Sequence, residues 1–146
     1  MNINSAAATL PTRVLAESLT AWKLAFDRHT PAGMVELFSL DALFQGLSPT
    51  LLTGRNEVFD YYDALPPGIT ASFQVIQGRQ LTPHLVSGFA AVHFTYPAGR
   101  TVPVQLSLVL RRDGQTWFIV QYHASTLSSA KQSGTVTLAS HDEFIY

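Results

Sequence analysis

The sequence predicts one α+β domain, with three helices near the N-terminus packed on a strongly curved antiparallel sheet to make a cone-shaped α+β barrel around an apolar pocket. Three observations predict it. Up to Leu65, apolar residues recur at helical spacing. From Thr70 onward, extended runs take over, and the clearest of them alternates apolar with polar residues. Hairpin signals separate those runs, at Pro97-Ala98-Gly99 and at Asp113-Gly114. A chain of 146 residues is the length of one domain. At that size it buries roughly two thirds of its unfolded surface and needs no covalent staple.

The elements follow in order. Thr12, after Pro11, is the expected cap of a helix running to His29. Leu15, Leu19, Trp22 and Phe26 make its apolar stripe. Thr30-Pro31 opens a second, short helix over Ala32 to Phe38, because proline suits the first helical turn. Leu40 to Gln45 is a first strand, and Asn56 to Leu65 a third helix that Pro66-Pro67-Gly68 ends. Four long strands are expected at Thr70–Thr82 (bent at Gly78), Val86–Tyr96, Thr101–Arg112 and Gln115–Ser125. The domain is expected over 12–127, with a flexible arm at 1–11. A tail or extra edge strand is expected over 128–146, where Thr135-Val136-Thr137-Leu138 is strand-like.

Composition excludes several classes. Cysteine is absent, so disulfides, thiolate metal sites and cysteine nucleophiles are out. That suits a cytoplasmic location. Net charge is −1 and Arg111-Arg112 is the one adjacent basic pair, so nucleic acid is not an expected partner. No apolar run approaches the roughly 20 residues a membrane helix needs. Charged residues make up 13%, about half the usual share, which points to apolar surface covered by a second subunit or used for a ligand. The histidines at 29, 84, 93, 123 and 141 lack metal-ligand spacing, and no nucleotide or hydrolase motif is present. No metal and no cofactor is expected.

Two segments carry a family resemblance. One runs from Ala21-Trp22-Lys23-Leu24-Ala25-Phe26 to Leu37-Phe38-Ser39-Leu40-Asp41-Ala42. The other is Asp113-Gly114-Gln115-Thr116-Trp117 through Tyr122-His123-Ala124-Ser125. Together with the element order they resemble the nuclear transport factor 2-like (cystatin-like) superfamily. Within it, the SnoaL-like and calcium/calmodulin-dependent kinase association-domain branches are the most similar. The resemblance covers residues 12 to 127. It implies a conical pocket between helices and sheet, and a homodimer through the outer sheet face. It leaves the activity open, because one fold hosts many functions.

The resemblance also allows a test. Ketosteroid isomerisation on this fold uses a carboxylate base and two acidic donors. Counting from Phe38, those roles fall at Gly46, Trp22 and a position near Ser107, so the isomerase groups are missing. No catalytic residue is assigned. His123 is the candidate proton carrier, with a structural or subunit contact as its plainer role. The expected pocket walls are Trp22, Phe26, Phe44, Tyr62 and Val92. Gln105, Ser107, Tyr122 and His123 are its expected polar contacts. Whether Tyr122 or His123 faces inward is open, and so is the face of Gln105 and Ser107. If the aliphatic face of their strand meets a partner, Leu106→Glu or Leu108→Glu breaks a dimer. The function expected is binding of a small, mostly apolar organic molecule, with acid–base catalysis by that site left open. The alternative is a non-catalytic assembly module.

Overall fold

The computed structural model describes residues 8–127. Residues 1–7 of the arm expected over 1–11, the tail over 128–146 and its strand-like stretch lie outside the described residues. The elements are α1 (Leu10–Asp27), α2 (Pro31–Val35), β1 (Phe38–Gln45), β2 (Leu52–Thr53), α3 (Gly54–Asp63), β3 (Thr70–Thr82), β4 (Leu85–Thr95), β5 (Thr101–Asp113) and β6 (Thr116–Thr126). All six strands form one curved sheet in the order β2-β1-β6-β5-β4-β3, with β2 and β3 at its edges. The sheet is unclosed, so the fold is α+β without a complete barrel. It is also mixed rather than purely antiparallel, because β1 runs parallel to β6.

Helix α1 starts earlier than expected. Thr9 takes the cap position and Pro11 sits in the first turn, where its missing N–H costs nothing. Its buried stripe is Val14, Leu15, Leu19, Trp22 and Phe26. The C-terminal half is fastened to the sheet edge at Ala71. The Asp27 carboxylate accepts the Ala71 N–H at 2.8 Å, and Lys23 Nζ donates to the Ala71 carbonyl at 2.6 Å. Lys23 and Asp27 also pair with each other at 2.6 Å. One helix turn therefore satisfies both backbone groups of a residue on an edge strand, which otherwise invites pairing with another chain.

Strands β3 to β6 are joined by tight hairpins. Gly114 opens the β5–β6 turn at a φ of 63°, the left-handed geometry that a two-residue turn beginning with glycine requires. Gly78 pairs with Gly88 across β3 and β4, directly beneath Leu15 of α1.

The faces of β5 are now fixed. Val102, Val104, Leu106, Leu108 and Leu110 are buried beneath the helices, Leu106 and Leu108 at 1% exposure. This corrects the expectation that Leu106 and Leu108 form a sheet–sheet contact. They are core residues, and a glutamate at either would block folding rather than split a dimer. Gln105 and Ser107 lie on the opposite, outer face.

A bulge decides the faces of β6. Val109 pairs with Gln121 and Leu110 with Ile119, so Val120 is an extra residue in the ladder. Simple alternation puts Ile119 and Tyr122 on opposite faces. With the bulge both point inward, at 1% and 4% exposure. His123 is thereby exposed on the outer face.

Candidate functional site

The inside of the curved sheet is filled by rings. Phe44 stacks on Tyr122 with centroids 4.4 Å apart and planes 12° from parallel. Trp22 meets Phe26 at 5.4 Å and the edge of Phe94 at 6.0 Å. Phe38 closes on Phe44 at 5.8 Å. Such edge and offset contacts add stabilisation beyond the area they bury. Val92 completes this wall at 0% exposure.

Two of the polar groups inside this packing are joined. The Trp22 indole N–H donates to the Tyr62 hydroxyl at 3.1 Å. The Tyr122 hydroxyl lies beside that of Tyr62, close enough for each to influence the other's ionisation. Burial pushes both phenols well above their ordinary ionisation range, most strongly through the cost of charging them away from water. They stay neutral at any physiological pH, so they work as hydrogen-bonding groups and not as phenolate bases.

This chain ends behind a crevice at the mouth of the fold. The α1–α2 turn forms one wall with Phe26, His29 and Met34. The α3–β3 connection forms the other with Leu65 and Ile69, and Tyr62 sits between them. The free space is about 10 Å³, the size of a single water. A larger guest therefore enters only if the walls part. Met34, unbranched and adaptable, is suited to that.

Two hollows lie elsewhere. A groove of about 600 Å³ is lined by Ser39, Leu40, Asp41, Arg55, Arg111 and Phe118. Its charges are largely engaged: Arg111 pairs with Asp113 at 3.5 Å, Ser39 donates to Asp41 at 3.1 Å, and Arg55 Nε donates to the Phe38 carbonyl at 2.9 Å. A second depression of about 220 Å³ on the outer face holds Leu43, Gln45, Gln121 and His123.

The predicted site residues thus divide. Trp22, Phe26, Phe44, Tyr62, Val92 and Tyr122 come together in the interior. Of these, Phe26 and Tyr62 reach the crevice. Gln105, Ser107 and His123 do not face inward, which corrects their assignment as pocket contacts. The cause is strand geometry: Gln105 and Ser107 alternate with core leucines, and the Val120 bulge turns His123 out. Among the described residues, no group of three or more His, Asp or Glu side chains could hold a metal. No described helix is long and apolar enough to cross a membrane.

Sequence reading missed His29. It follows the last turn of α1 with a φ of 53°, the one non-glycine residue at positive φ among those described. The available signal was positional, since the residue just past a helix end is the place that favours glycine.

Known proteins add the following. The SnoaL-like domain family matches residues 15–129. No curated protein sequence matches the chain. Among solved structures, a ketosteroid isomerase-like protein from Erwinia carotovora atroseptica superposes with a TM-score of 0.70 at 17% identity, covering 84% of this chain and 100% of its own. A cystatin-like domain of unknown function from Nostoc punctiforme reaches 0.74 at 17% identity, covering 86% and 83%. A candidate calcium/calmodulin-dependent protein kinase II association domain from Xanthomonas campestris gives 0.70 at 18% identity, covering 84% and 94%. Identities this low carry the fold and not the activity.

Proposed function

The chain belongs to the SnoaL-like domain family, and from that premise we propose that it binds a small, mostly apolar organic molecule at the mouth crevice. The observation that carries this is the polar chain from Trp22 through Tyr62 to Tyr122 behind an apolar opening. Phenylalanine would fill the tyrosine positions with no hydroxyl to satisfy, so the hydroxyls are an expense that packing alone does not require. Apolar walls with a few placed polar groups are the usual make-up of a small-molecule site. Phe26, Met34, Leu65 and Ile69 supply the walls and Tyr62 the polar group. The neutral phenols favour binding and orientation over proton abstraction, so the first assignment is to a binding protein. Soaking crystals with 4-bromophenol tests it. Anomalous bromine density is expected between Met34 and Ile69. Bromine at the Leu43–His123 depression instead, or nowhere ordered, would contradict the reading.

A second reading is a homodimer through the outer sheet face, in the manner suggested by relatives described as kinase association domains. One observation favours it. From Thr101 to Arg111 on β5 and along the paired outward positions of β4 and β6, no carboxylate occurs, while Phe89 is 48% exposed. Interface centres are poor in charge and rich in aromatic residues. Phe89→Glu is expected to convert the dimer to a folded monomer, read as a halved mass by light scattering. A mass unchanged by the substitution would remove this face from the interface.

A further inference from the structure

His29 sits at the end of α1 in a place shaped for glycine. Its N–H bonds the Phe26 carbonyl at 3.0 Å, and the Thr30 N–H bonds the Ala25 carbonyl at 3.0 Å. This pair of bonds closes a helix through a left-handed residue, and glycine is the usual occupant because it has no Cβ to crowd the carbonyl. The chain spends free energy to keep an imidazole there. No polar contact accounts for it: among the described residues the ring makes no hydrogen bond and no ion pair, although the residue is mostly buried. What the ring does is line the crevice, opposite Leu65 and Ile69 and on the same wall as Met34.

We propose that His29 is the specificity-determining contact of this crevice, giving a rim hydrogen bond to an oxygen of the bound molecule. The ligand is then an apolar molecule carrying a hydroxyl or carbonyl oxygen. Imidazole suits either, because one ring nitrogen donates and the other accepts. The α1–α2 turn explains the position: Pro31 fixes the chain directly after Thr30, so a side chain at residue 29 is held in place without support from a helix or strand.

The inference rests on the crevice being a binding site, and its test separates the two ideas. p-Cresol and toluene differ by one hydroxyl and serve as the probes, with binding followed by the Met34 methyl resonance. In the wild-type chain p-cresol is expected to bind more tightly than toluene. His29→Gly should raise Tm by about 2–4 °C, as relief of a left-handed side chain does. It should also weaken p-cresol about tenfold, the worth of one hydrogen bond, and leave toluene unchanged. His29→Asn, which tolerates the same backbone and keeps a polar group, should retain part of the affinity. If His29→Gly binds p-cresol as the wild type does, the proposal for His29 is overturned while the crevice stands. A lowered Tm in His29→Gly would make the imidazole a packing residue and overturn it too. If the wild type binds neither probe, both ideas fall.

Discussion

Gly88→Ala is expected to cost about 2–3 kcal/mol, a large effect for a single methyl group. By propensity alone the change should help, since glycine inside a strand costs conformational entropy. The close approach of α1 to the sheet reverses the sign. A Cβ at residue 88 would run into Leu15 Cδ1 and stand 2.7 Å from the Gln77 carbonyl oxygen and 3.1 Å from Gly78 Cα. Leu15 can shift, but the β3 backbone cannot move without breaking its ladder to β4. Gly33→Ala is the control: there a Cβ meets only Thr30 Oγ1, at 3.7 Å, and the helix should gain about 0.5–1 kcal/mol. Denaturant midpoints of the two variants check both. A Gly88→Ala protein as stable as the wild type would mean that α1 does not lie on the Gly78–Gly88 pair.

Alkaline pH should unfold the protein through Tyr62 and Tyr122. Both are neutral in the folded chain, and burial holds their ionisation well above the ordinary value near 10. In the unfolded chain they ionise at about that value. The folded state therefore keeps protons that the unfolded state releases, so the stability from these groups is fully present below pH ~10 and declines as pH rises past it. The slope is about 1.4 kcal/mol per pH unit for each phenol. Guanidinium midpoints between pH 7 and 11.5 follow the decline. Phenolate absorbance supplies the independent check, since at least two of the five tyrosines, Tyr62 and Tyr122, should ionise only on unfolding. Ionisation of all five near pH 10 in the native protein would contradict the buried hydroxyl chain.

Much of the architecture could be read before any coordinates. Thr70–Thr82 was legible to the residue, because its breakers stand on both sides. The stripe Leu15, Leu19, Trp22, Phe26 was legible because only one helical face carries large apolar groups. What escaped were features set by pairing distant segments. Nothing local tells that β1 joins β6 in parallel, nor that Val120 is an unpaired extra residue. That one residue decides that Tyr122 points inward and His123 outward, and so it decides most of the candidate site. Gln105 and Ser107 failed for a simpler reason. A strand with aliphatic residues on one face and polar ones on the other is legible as two-sided, but which side meets the helices depends on where α1 lies. His29 offered only its position just past a helix end, and the backbone angle that gives that position meaning is set by the fold.

Because Tyr62 lines the mouth crevice and accepts the Trp22 indole N–H, a guest bound there should be felt at Trp22. The protein has two tryptophans, which give two indole N–H resonances in one nitrogen-edited spectrum. Trp22 donates to Tyr62 at 3.1 Å, whereas Trp117 lies beside Arg112, with the guanidinium 5.9 Å from its ring. On titration with p-cresol, the Trp22 resonance is predicted to shift and saturate while that of Trp117 stays in place. A stationary Trp22 signal at saturating p-cresol, or a shift confined to Trp117, would contradict the account.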